Sequence, residues 1–114
     1  MNKLISFKKE FITLIKEGKK TVTRRIKFIG NPGDIFYFKI DRNGKKEGYI
    51  KIISVKIEQL KEMIYSYGED ESRAEGCRNL GDFLNVWNRI NKISWRDNPM
   101  VYRIEFKYLG DNIV

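Results

Sequence analysis

Histidine is absent from the 114 residues, and Cys77 is the only cysteine. The first absence removes the commonest general base and transition-metal ligand, which excludes serine–histidine triads, cysteine–histidine dyads and histidine-based metal sites. The second excludes an intrachain disulfide and the cysteine-rich zinc frameworks. Long hydrophobic runs are missing too. Nothing approaches the roughly 20 apolar residues that span a bilayer, and the opening MNKLISFKKE has no secretory apolar segment. A cytoplasmic protein without a membrane partner is the expectation. No repeat, low-complexity tract or Ser/Pro-rich linker divides the chain, and a hydrophobic content of 41% suits one modest core. A single domain over residues 1–114 is therefore expected. Any catalysis must run on Lys, Asp, Glu, Thr, Ser, Tyr or the lone thiol.

What is present is positive charge, unevenly spread. Of the net +8, residues 1–57 hold 15 Lys and Arg against 5 Asp and Glu, whereas residues 58–114 hold 8 against 10. A clustered positive field attracts polyanions and steers their encounter, so nucleic acid is the leading partner class. Solvated lysines facing water would give the same composition. Tyr37, Tyr65, Tyr67 and Trp95 are aromatic surfaces on which unpaired bases can stack.

Local patterns place the elements. Phe7, Phe11, Leu14 and Ile15 recur at helical spacing and Gly18 follows where helices end left-handed, which predicts a helix over residues 8–17. From Thr21 to Lys27 the pattern is extended, and Asn31-Pro32-Gly33-Asp34 is a turn. Phe36, Phe38 and Ile40 alternate with Ile35, Tyr37 and Lys39, ahead of a hairpin tip at Asp41 to Lys45. The returning strand, Gly48 to Ile57, changes its apolar phase between Ile52 and Ile53, which predicts a bulge. A short helix over Glu58 to Tyr65 and a polar loop over Ser66 to Arg78 come next. They precede a helix from Leu80 to Ile90 capped by Asn79, with Leu80, Phe83, Trp87 and Ile90 as its buried stripe. Met100 to Tyr108 closes the set as a strand. The sum is an α+β fold, a small bent antiparallel β-barrel with two or three flanking helices.

The segment Gly18-Lys19-Lys20-Thr21-Val22-Thr23-Arg24-Arg25 packs four cations and two hydroxyls around one valine. Thr21, Thr23 and Arg25 share one face of the extended stretch, Val22, Arg24 and Ile26 the other, and Lys20 stands at the entrance. Arg25 can grip a phosphate or a base edge in bidentate fashion. Lys20 supplies a point charge with a tunable pKa, and Lys19 and Arg24 add positive potential. A plain structural strand, with Arg25 and Thr23 paired across neighbours and Lys20 in water, uses the same residues. Cys77, with no histidine to activate it, reads as a buried structural thiol.

Gly18-x-Lys20-x-x-Thr23-x-Arg25 after a first helix resembles the GxKxxTxR signature of the ASCH domain, the activating signal cointegrator homology module. Gly33-Asp34 opening a strand, Glu75-Gly76 ahead of Phe83 and Trp87, and the strand from Val101 to Phe106 repeat further landmarks of that family in its order. The resemblance covers almost the whole chain and implies a PUA-like barrel, similar to folds of RNA-modifying proteins. It also implies RNA or other nucleic acid as partner, with Lys19, Lys20, Thr21, Thr23, Arg24 and Arg25 lining the cleft. As an alternative it implies an amidohydrolase acting on acetylcytidine-type modified nucleosides, in which Lys20, Thr23 and Glu75 are the catalytic set. Some members are similar to metal-dependent ribonucleases, for which Glu69, Asp70 and Glu71 are the candidate carboxylates here. No cofactor and no resident metal is otherwise implied.

Overall fold

The computed structural model describes residues 3–112. Its strands are β1 (Lys3–Phe7), β2 (Val22–Arg25), β3 (Ile35–Ile40), β4 (Lys46–Gln59) and β5 (Met100–Gly110), and its helices are α1 (Lys9–Lys16), α2 (Leu60–Ala74) and α3 (Leu80–Ile90). The strands form one sheet in the order β1-β3-β4-β5-β2, parallel between β1 and β3 and antiparallel elsewhere. Alternation sends Phe36, Phe38, Ile50, Ile52, Ile104 and Phe106 inward, where they meet Phe11, Ile12 and Ile15 of α1 and Phe83 and Trp87 of α3. Each such side chain contributes about 1.5–3 kcal/mol on burial. No helix among the described residues is long and apolar enough to cross a membrane.

The sheet is not the closed barrel that the sequence pattern suggests. Its two edges, β1 and β2, share no ladder. They are joined by one side chain: Arg25 Nη2 donates to the Ser6 carbonyl at 2.9 Å, and the guanidinium lies 5.0 Å from the Phe7 ring centroid. Side chains fill the seam where a closed barrel would continue its backbone hydrogen bonds.

Two further expectations need correcting. Phe7 belongs to β1 and not to the first helix, because residues 3–7 pair with Phe36 to Ile40. The segment after Tyr65 is not a loop: α2 runs on to Ala74 through a kink at Tyr67 (φ −133°, ψ 37°). At Gly68 a Cβ would lie 3.0 Å from Leu80 Cδ2, so the bare backbone there lets the start of α3 pack against α2. The bulge between Ile52 and Ser54 and the Asn79 cap, whose Oδ1 accepts from the Asp82 amide at 2.8 Å, are as expected.

Candidate functional site

Two helix ends build the site. Helix α1 closes with Gly18 at φ +75°, the Gly18 amide donating to Ile15 O at 3.1 Å and the Lys19 amide to Leu14 O at 2.8 Å. Helix α2 closes the same way at Gly76, φ +90°, with Gly76 donating to Arg73 O and Cys77 to Ser72 O, both at 2.9 Å. Both are Schellman endings, which need a left-handed residue and so favour glycine. The first turns the chain so that Lys20 enters the interior; the second sets Glu75, the last residue before the turn, against it.

The Lys20 ammonium is buried and spends its protons on three acceptors: Val22 O at 2.9 Å, Glu75 O at 2.6 Å and Glu75 Oε1 at 3.2 Å. Burial pushes its pKa below the ordinary lysine value, aided by the charge of Arg25 and opposed by Glu75. The contact relies on Gly76, where a Cβ would lie 3.2 Å from Lys20 Cβ and 3.1 Å from Phe11 Cδ1. Gly76→Ala is therefore expected to destabilise by about 1–3 kcal/mol through backbone strain alone. Urea unfolding measures this, and an unchanged midpoint would show that the turn tolerates a side chain.

Glu75 faces two ways. While Oε1 accepts from Lys20, Oε2 accepts from Arg24 Nη1 at 2.9 Å. Arg24 also donates to Glu58 through Nε at 3.2 Å and to Glu71 through Nη2, and Glu71 in turn accepts from Arg103 Nε at 2.7 Å. Burial alone would raise the Glu71 carboxyl, but Arg103 and Arg24 bring it down to about 2. Three cations, Lys20, Arg24 and Arg103, thus meet three carboxylates, Glu58, Glu71 and Glu75. Arg24 lines the cleft as expected, but its charge is committed to this network, and its pairing opposite Arg103 turns most of its guanidinium contacts to the sheet face away from Thr23 and Arg25.

A cavity of about 270 Å³ opens at the seam between β1 and β2, lined by Phe7, Phe11, Lys20, Thr23, Arg25, Glu75, Phe83 and Trp87. Thr23 Oγ1 accepts from Arg25 Nε at 3.1 Å. Among the described residues no carboxylate forms a salt bridge with Arg25; burial pushes its pKa below the ordinary arginine value, opposed by the Glu75 charge across the cavity. At the rim, Lys8 pairs with Asp41 at 3.2 Å. Of the sequence-derived candidates, Lys20, Thr23, Arg24, Arg25 and Glu75 line the cavity. Lys19 is exposed beside Glu17, and Thr21 spends its backbone on Ala74 and Phe106. Cys77 also lines the cavity; burial pushes its thiol up to about 12, so it is no nucleophile at neutral pH. The carboxylates of residues 69–71 are on helix α2, with Asp70 on Arg73 and Glu71 on Arg103, and among the described residues no group of three His, Cys, Asp or Glu is placed to hold a metal ion. Ser6 and the Glu58–Arg24–Glu71 network escaped the sequence reading, since nothing in local spacing signals a tertiary contact.

No protein-family model and no curated protein matches the sequence. Solved structures do. Hypothetical protein PH0355 is similar over 96% of this chain and 100% of its own, at 23% identity and a TM-score of 0.70. An ASCH domain from Lactobacillus crispatus is similar over 93% and 79%, at 17% identity and a TM-score of 0.62. ASCH from Zymomonas mobilis is similar over 91% and 65%, at 18% identity and a TM-score of 0.58. At these identities the likeness concerns the fold, and the open five-stranded sheet with its helices around the Gly18 to Arg25 cleft is the PUA-like fold of ASCH-domain structures.

Proposed function

We propose that the cleft takes one acylated pyrimidine nucleoside and hydrolyses its amide. The observation that carries this reading is the 3.2 Å contact between Lys20 Nζ and Glu75 Oε1, 55 residues apart in sequence, inside a cavity that Thr23 also lines. Its volume lies just below the roughly 300–1,000 Å³ of drug-sized clefts, which suits one nucleoside. The walls suit it too, with Phe7, Phe11, Phe83 and Trp87 for a flat base.

The chemistry runs on the ion pair. Burial favours the neutral Lys20 amine, and moving one proton from the Lys20 ammonium to the Glu75 carboxylate leaves the net charge unchanged and supplies an amine base beside a carboxylic acid. The Lys20 amine accepts the Thr23 proton as Oγ1 bonds to the acyl carbon. Arg25, adjoining Thr23, stabilises the oxyanion that develops. The carbon–nitrogen bond then breaks, the Glu75 proton leaves with the exocyclic amine, and water hydrolyses the acyl–threonine ester. Incubation with acetylcytidine should release cytidine and acetate, and Thr23→Val should abolish release while preserving the fold. No release between pH 6 and 9, or a fully active Thr23→Val, would refute the reading.

A second reading, nucleic acid held at the same cleft, is supported by the Arg25 guanidinium, which lines the cavity without a salt bridge and whose fork matches a phosphate. In that case Arg25→Ala weakens oligonucleotide binding.

A further inference from the structure

The outer face of the sheet, opposite the cleft core, has a charge pattern that packing does not explain. Inward-facing Phe36, Phe38 and Ile50 alternate with outward-facing Tyr37, Lys39, Tyr49 and Lys51. In register, Lys39 stands across from Lys46, Tyr37 across from Tyr49, and Lys51 across from Lys107. Like charges directly opposite on antiparallel strands repel, and natural sheets ordinarily place a carboxylate there. Among the described residues none of these four lysines pairs with a carboxylate; Lys46 Nζ instead donates to Tyr49 Oη at 3.1 Å and lies 4.8 Å from the Tyr37 ring centroid and 5.3 Å from that of Tyr49.

The same sheet shows how it handles opposed cations when they serve structure. Arg24 stands across from Arg103, and there Glu71 accepts from both. At Lys51 and Lys107 no such acid is supplied. The fold tolerates a repulsion there that one Glu would remove.

We infer that this face, Tyr37 and Tyr49 flanked by Lys39, Lys46, Lys51 and Lys107, binds single-stranded nucleic acid. The phosphates supply the missing counter-charge, and bases stack on the two tyrosine rings, each of which offers a flat surface without demanding a particular base. Lys46, already over both rings, swings to a phosphate when a base takes its place. The inference stands apart from the chemistry of the cleft, since it uses none of its residues.

The test is titration of the whole protein into fluorescein-labelled 12-mers, oligouridylate and oligothymidylate, followed by anisotropy. Neutralising about four phosphates predicts a logarithmic salt slope of about −3. Tyr37→Ala with Tyr49→Ala should weaken binding by about tenfold or more, without altering that slope. Lys51→Glu separates function from folding, because it creates a Glu–Lys pair with Lys107. It should raise the melting temperature and lower the affinity for both oligomers. Absence of binding at 50 mM salt would overturn the inference. So would full affinity in Lys51→Glu, or loss confined to Arg25→Ala, which would return the polymer to the cleft. Preference for one oligomer over the other reads out RNA against DNA.

Discussion

Arg24→Met is expected to cost the folded state about 3–5 kcal/mol at pH 7, the usual penalty for removing one partner from a buried ionic cluster. The chain length of 114 residues sets the scale, since small domains are stable by only 5–15 kcal/mol. Methionine fills most of the arginine volume, so the loss is electrostatic. Glu71 keeps Arg103 and Glu75 keeps Lys20, but buried Glu58 loses the only cation that the described residues give it. The pH dependence identifies the cause. With its folded pKa near 2 against an ordinary 4.5, Glu71 contributes stability that is present above about 4.5 and is lost as pH falls toward 2. Wild type should therefore weaken across that window. In Arg24→Met, Glu71 has lost one of the two cations that hold its carboxyl down, so less stability remains to be lost on acidification and the gap between variant and wild type narrows as pH falls. Urea unfolding, which adds no salt, at pH 7 and pH 3 measures both. A penalty below about 1 kcal/mol, or a gap that ignores pH, would show that the cluster adds nothing net.

Lys20→Met is expected to lower acetylcytidine turnover by about 10²- to 10⁴-fold, the usual worth of a general base. Its effect on the fold should be smaller than that of Arg24→Met, because Glu75 retains Arg24. Lys20→Arg should not restore turnover, since a guanidinium does not give up its proton near neutral pH. In wild type the rate should fall as pH passes the Lys20 pKa, which burial lowers below the ordinary lysine value of 10.5, because the pair then loses the single proton that must reach the leaving amine. Single-turnover kinetics with circular dichroism as a folding control decide the matter. Full activity in Lys20→Arg would remove Lys20 from the chemistry.

Where local chemistry dictates structure, the sequence was readable. Asn79 with Phe83 and Trp87 announced α3 to the residue, and the parity change after Ile52 announced the bulge. The GxKxxTxR segment gave Lys20, Thr23 and Arg25, and all three do line the cavity. Strand β1 went unread because its partner is the distant, parallel β3 and its five residues carry only two inward side chains, Ile5 and Phe7. The second half of α2 looked like a loop because its carboxylates face Arg24, Arg103 and solvent, so no apolar period marks it. Closure of the barrel was expected because the strands bend. An open edge at β1 and β2 follows from a side-chain bridge that no spacing rule foretells.

The pairing of β2 has a bearing on synthesis. Val22 to Arg25 find their only ladder partner among the described strands in residues 102–105 of β5, about eighty positions later. While the chain emerges from the ribosome, α1 can form and β3 can fold back on β4, but Thr23, Arg24 and Arg25 have no strand to join until Met100–Gly110 has been made. Long-range pairing of this kind carries a loop-closure cost that is met only at the last step. The cleft is thus assembled after the scaffold, and a nascent chain stalled before β5 carries its cations without a pocket.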